Sequence, residues 1–251
     1  MEIVKFKKIG RSKYKIYFDN EEITLYEDVI LKYDLLLKKK IDLDLLEKVL
    51  ESNKYYELYN SALNYISIKM RSEKEIRDYL LKKEASDEDI NNIIKDFYDK
   101  NLLNNKLYIT SFINDSINLK ENGPLKIKND LIKNGFDEYE IDEYLNTIED
   151  SVWEEKIKKY INKHISNKRV STNMMKLKLL NDLNIKGYSK EMVYPLLENI
   201  SLDDENNIKE EYKKAYKKYG SKYKSKELDN KIMNYLLRKG YNYSEINNVI
   251  K

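Results

Sequence analysis

Apolar and polar residues alternate strictly only near the start of the chain. Tyr14, Ile16 and Phe18 interleave with Lys13, Lys15 and Tyr17, a period of two that predicts a half-buried strand. Asp19-Asn20 follows, and both residues tolerate positive φ, as a hairpin turn requires. Residues 23–26 then predict the partner strand and residues 3–9 a third. Beyond them the spacing changes to three and four, predicting helices over about 27–39 and 42–52. Residues 1–54 therefore read as a small β-plus-helix module leading into a helical body.

The body repeats itself. Four 17-residue segments, beginning at Asp78, Asn129, Asn181 and Asn234, align without gaps. Leu80, Leu131, Leu183 and Leu236 coincide, as do Ile90, Ile141, Val193 and Ile246, and again Ile94, Leu145, Leu197 and Ile250. Three copies carry Gly135, Gly187 or Gly240 at the loop position, where a helix commonly ends at φ > 0; the first copy has Glu84. A period near 50 residues with this agreement predicts tandem helical units. Each unit reads as three helices, in the first about 59–69, 72–83 and 86–100. Ser72 with Glu75 makes a capping box, and Ser86–Asp89, Asp137–Glu140 and Asn242–Glu245 make related helix starts. Pro124 after Gly123 suits the first position of a helix, whereas Pro195 predicts a kinked or shortened one. The expected repeats are 55–104, 105–150, 151–204 and 205–251.

Composition narrows the class. Six Gly and two Pro in 251 residues leave few turn-formers for an all-β fold. No apolar run approaches the ~20 residues of a membrane span, and no apolar leader opens the chain. No Cys is present, which excludes disulfides and thiolate metal sites. A mainly α, cytoplasmic protein without membrane contact is expected. The net charge of +3 hides a gradient: residues 105–150 carry 5 basic and 10 acidic side chains, residues 205–251 carry 12 and 6. A basic end beside an acidic centre suits a partner of mixed charge.

Catalytic signatures are missing. There is no phosphate loop, dinucleotide fingerprint or nucleophile elbow. The one histidine, His164, sits in a lysine-rich amphipathic stretch. The chain reads as a binding protein, without cofactor and monomeric. The positive signal is the interleaving of Tyr212, Tyr216, Tyr219 and Tyr223 with Lys213, Lys214, Lys217, Lys218, Lys222 and Lys224. Lysines attract phosphate through counterion release and tyrosines stack on bases. Spacings of four, three and four equally describe the buried stripe of an amphipathic helix, the preferred reading for the tyrosines. For the lysines a binding role and a solvated face stand level. Arg71, one of five Arg in a lysine-dominated chain, is open to two readings as well: a fork-like contact to a partner, or an internal lock at a helix start.

Residues 62–94, then Leu102-Leu103-Asn104-Asn105 and Gly123-Pro124-x-x-Ile127 with Leu131 and Gly135, closely resemble the RecX family of regulatory proteins. Arg71-Ser72-x-x-Glu75-Ile76-x-x-Tyr79-Leu80 matches that family's first repeat. The resemblance covers essentially the whole chain, and the N-terminal module looks like the extension of longer Gram-positive members. It implies an elongated, curved array of three-helix repeats that binds filaments of the RecA recombinase on single-stranded DNA and inhibits their ATP hydrolysis, strand exchange and coprotease function. The alternative is a standalone, sequence-nonspecific DNA-binding repeat protein. Family members often carry basic residues where this chain has Asn114, Ser116, Asn122 and Leu125. Nucleic-acid contact is therefore expected to shift toward the third and fourth units. The candidate contact residues are Arg71, Lys126, Lys176, Lys178, Arg238 and the six lysines between 213 and 224.

Overall fold

The computed structural model describes residues 1–165 and 170–250. It divides into two compact units, Met1–Tyr108 and Ile109–Lys251.

In the first unit, β1 (Ile3–Lys8), β2 (Lys13–Phe18) and β3 (Glu22–Tyr26) form an antiparallel sheet in that order. The alternation read from the sequence sets the buried face: Ile16 and Phe18 turn inward with Leu25 of the next strand. They pack with Val29 and Ile30 of α1 (Glu27–Lys32), with Leu35, Ile41, and Val49 of α2 (Leu43–Ile68). Two differences from the sequence expectation appear here. The helix expected over 27–39 stops at Lys32, because Asp34 takes a left-handed conformation (φ 50°), and a single 3-10 turn at Leu35–Leu37 delivers Leu35 into the core. The helices expected over 42–52 and 59–69 are one helix of 26 residues. Residues 53–58 hold no Gly or Pro to interrupt it. Tyr56 there packs against the sheet core, while Tyr55 and Leu58 pack against the next one.

That next core is closed by α3 (Glu73–Leu81) and α4 (Asp87–Asp99) against the second half of α2, around Ala62, Ile76, Leu80, Ile90, Ile93 and Phe97. Ser72 opens α3 with the expected reciprocal cap: its Oγ accepts from Glu75 N at 3.1 Å, and Glu75 Oε2 accepts from Ser72 N at 2.9 Å.

The helices that follow are α5 (Asn105–Leu119), α6 (Pro124–Lys133), α7 (Glu138–Leu145), α8 (Asp150–Ile165), α9 (Thr172–Ile185), α10 (Lys190–Glu198), α11 (Asp204–Tyr219), α12 (Ser225–Arg238) and α13 (Tyr243–Ile250). The aligned leucines 131, 183 and 236 and their partners Ile141, Val193 and Ile246 are fully buried, so the repeat read from the sequence is a repeat of core positions. Pro195 sits inside α10, which nevertheless runs on to Glu198.

Two joints within the second unit follow one design. The loop at Gly187, between α9 and α10, lies against the start of α6: Gly123 N donates to Lys186 O at 2.7 Å and Leu125 N to Gly187 O at 3.0 Å. The loop at Gly240, between α12 and α13, lies against the start of α9: Ser171 N donates to Lys239 O at 3.1 Å and Ser171 Oγ to Gly240 O at 2.7 Å. Both loop glycines have φ near 90°. A Cβ on Gly187 would stand 2.3 Å from Lys126 N, and one on Gly240 would stand 2.4 Å from Met174 Cβ. Backbone approach this close admits only glycine.

Candidate functional site

The lysine–tyrosine stretch folds as α11 and the loop after it. Asp203 caps the helix by accepting from Asn206 N at 3.0 Å. Ile208, Glu211 and Ala215 form the buried face. Tyr212, Tyr219 and Tyr223 lean onto the core built by Leu228, Ile232, Leu236, Tyr241 and Ile246. Three of the four tyrosines are thus structural; Tyr216 is 53% exposed. Lys213, Lys214, Lys217 and Lys218 occupy the exposed side of the helix, and Lys222 and Lys224 the exposed loop.

These lysines are not equivalent. Lys213 pairs with Glu210 at 3.1 Å and Lys214 with Glu211 at 2.7 Å. Lys218 Nζ lies 5.1 Å from the Tyr219 ring centre. Among the described residues, Lys217, Lys222 and Lys224 take part in no ion pair, leaving their charge available.

Glu211 is a residue that the sequence reading missed. It is 1% exposed, yet its carboxylate is fully served: by Lys214, by Lys239 at 3.0 Å, and by the Tyr235 hydroxyl, which donates at 2.8 Å. Burial alone pushes such a group up; hydrogen bonds from Lys214, Tyr235 and Lys239 outweigh it and hold the carboxyl at about 2. Tyr235, half-buried, is pushed up to about 12 by its desolvation and by that neighbouring charge. The clue was positional: Glu211 stands three residues after Ile208 and four before Ala215, on the core-facing stripe.

Other sequence candidates lie apart from α11. Lys126, in the first turn of α6, pairs with Asp130 at 2.8 Å beside the Gly187 joint. On α9, Lys176 donates to the Glu198 carbonyl at 2.9 Å, at the end of α10, and Lys178 is half-buried. Arg238 is exposed in the last turn of α12. Ser116 is wholly buried, so a basic side chain there would point into the core, whereas Asn114 is exposed.

Arg71 belongs to a compact cluster of its own in the first unit. Its Nη1 donates to Glu75 Oε1 at 3.0 Å, and its guanidinium lies 3.8 Å from the Tyr65 ring centre, on a ring stacked against Tyr79 at 4.2 Å. Burial acts to raise the Glu75 carboxyl, but the Ser72 N–H and Arg71 prevail and lower it. Burial next to Glu75 pushes Tyr108 up to about 12. His164 stacks on Tyr160 at 3.9 Å and its Nδ1 donates to the Tyr160 carbonyl. Among the described residues no group of His, Asp and Glu is arranged to hold a metal ion, and no helix is long and apolar enough to cross a membrane.

Sequence profiles described as the first and third three-helix domains of RecX match residues 59–97 and 203–250. The chain is 31% identical to the regulatory protein RecX of Streptococcus agalactiae serotype V, over 100% of this chain and 99% of the relative. It is 30% identical to the regulatory protein RecX of Lactococcus lactis subsp. lactis, over 99% and 96%. A crystal structure of a regulatory protein RecX superposes with a TM-score of 0.65 at 24% identity, covering 80% of this chain and all of that one, which shows a shared fold.

Proposed function

The chain belongs to the RecX family of regulatory proteins, and from that premise we propose that it binds filaments of the RecA recombinase on single-stranded DNA and restrains their ATP hydrolysis, strand exchange and coprotease activity. The observation that carries this reading is the end-to-end likeness to relatives named regulatory proteins, sheet module included. The protein works by occupancy and performs no reaction of its own. Its working parts are the module 1–54 and the repeats 55–104, 105–150, 151–204 and 205–251. The lysines of α11 and its loop contribute electrostatic attraction, with Lys217, Lys222 and Lys224 as the charges not spent inside the fold. Arg71 serves as a lock that fixes the start of α3 rather than as a contact to the partner.

Co-sedimentation tests the reading. The protein is expected to pellet with RecA filaments assembled on single-stranded DNA with a non-hydrolysable ATP analogue at concentrations where far less of it pellets with the same DNA alone. One observation favours a second reading, direct DNA binding: the unpaired lysines of the C-terminal repeat. Equal sedimentation with bare DNA, abolished by moderate salt, would establish that reading instead.

A further inference from the structure

The end of α5 and one face of α8 enclose a cavity of about 190 Å³ whose wall includes Lys120, Lys156, Lys159, Lys163, Tyr160 and Tyr188. None of these lysines was singled out by the sequence pattern, because the cavity joins residues about 40 positions apart. Its floor is rigid, since Tyr160 and Tyr188 are both buried. The carboxylate on its wall, Glu121, is already taken: it accepts from Lys163 at 3.0 Å and from Lys186, arriving from the end of α9, at 2.9 Å. Those two ammonium groups hold its carboxyl at about 2.

The remaining charges have no such counterpart. Lys156 is half-buried and donates to the Lys120 carbonyl at 3.3 Å, not to a carboxylate; Glu121, and after it Glu155 on α8, are the acids near enough to favour its charge. Burial and the proximity of Lys159 both disfavour its charge. Lys120 Nζ lies 5.2 Å from the Phe112 ring centre. Lys159 is exposed and makes no ion pair among the described residues. Four lysines thus line one concavity whose wall carries a single carboxylate, an excess of positive charge that favours an entering anion.

The geometry points to a phosphate-binding pocket for the backbone of single-stranded nucleic acid, and we propose that function for it. Lys156, Lys159 and Lys163 follow one another at spacings of three and four on one face of α8, a row about 10 Å long at 1.5 Å per residue, in which Lys163 is paired with Glu121 and Lys156 and Lys159 make no ion pair among the described residues. That is a track for successive phosphates rather than a point for one. The donors are flexible ammonium groups, with neither a glycine-rich loop nor an Arg fork on the wall to grip a terminal phosphoryl group. The proposal rests on the reading that this chain works on single-stranded DNA.

Fluorescence anisotropy of the full chain with a fluorescein-labelled oligothymidylate tests it. Lys156→Gln/Lys159→Gln is expected to weaken binding about tenfold and to flatten the salt dependence by roughly 1.4 in log–log slope, two phosphates at ~0.7 each. Lys38→Gln/Lys39→Gln, the same charge loss at exposed positions of the N-terminal module, is expected to leave the slope unchanged. Lys159→Gln alone, at an exposed position, is expected to weaken binding about threefold and keeps the test valid if the double variant melts early. Equal effects of the two double variants, no binding by the wild-type chain, or displacement by inorganic phosphate beyond that by chloride of equal ionic strength would each overturn the strand pocket. RecA ATP hydrolysis, followed with the same proteins, separates the two claims. A wild-type chain that binds DNA through the pocket but leaves hydrolysis unchanged sinks the recombinase reading alone; one that inhibits while its DNA binding ignores the pocket sinks the pocket alone.

Discussion

Gly187 and Glu84 occupy equivalent loop positions and share a left-handed backbone, at φ 88° and 60°, yet substitution there should act in opposite directions. Gly187→Ala drives a Cβ into Lys126 N and is expected to cost about 2 kcal/mol or more in denaturant titration. Glu84→Gly removes a side chain from a conformation that costs a non-glycine residue roughly 1 kcal/mol, so it should leave stability unchanged or raise it by up to that amount. A loss at both positions would mean that the loops are held by something other than backbone conformation. The glycines of the later repeats were legible in the sequence as helix ends; that two of them are also joints was not, because their partners lie far away in the chain.

Glu211 makes a second prediction at this scale. Its folded value of about 2 lies below the ordinary 4.5, so its contribution is present in full above pH 4.5 and is lost as pH falls toward 2. Glu211→Gln should cost about 2 kcal/mol at neutral pH, the range for hydrogen bonds to a charged group. Thermal melts of wild type and variant should converge between pH 4.5 and 2. A gap that persists undiminished at pH 2 would assign the cost to packing instead. In the sequence this glutamate looked like one more solvated acid among lysines; only the buried stripe from Ile208 to Ala215 distinguishes it.

At the scale of elements, the aligned leucines and isoleucines carried most of the fold, because a position that must be buried in each unit repeats in each. What escaped was continuity. Residues 53–58 hold no helix breaker, but they also lie between two apolar stripes that face different cores, and so read as a gap. The structure makes this stretch the shared wall of both cores, with Tyr56 on one side and Tyr55 and Leu58 on the other. Glu57→Pro, which removes a backbone donor mid-helix, is therefore expected to raise amide exchange in both the sheet module and α3–α4. Protection lost on one side only would show that α2 acts as two helices.

The C-terminal lysines divide by how their charge is spent. Lys217→Gln/Lys222→Gln/Lys224→Gln should weaken filament binding several-fold and flatten its salt dependence. Lys213→Gln/Lys214→Gln removes charges already paired with Glu210 and Glu211 and should do less. The reverse ranking would show that paired lysines turn outward to the partner. Sequence spacing identified the stretch, but could not sort these lysines, since a solvated face and a binding face share one pattern.

At the scale of the whole molecule, family membership and a basic C-terminal repeat support one account: a protein that acts by lying on a nucleoprotein filament. Acidic residues 105–150 suit contact with protein, and basic residues 205–251 suit proximity to DNA. The measurement closest to this claim is ATP hydrolysis by the cognate RecA on single-stranded DNA, titrated with this protein far below one copy per recombinase subunit. The account predicts a graded fall in rate at protein concentrations that leave free DNA unbound. An unchanged rate, with salt-sensitive binding to bare DNA at the same concentrations, would contradict it.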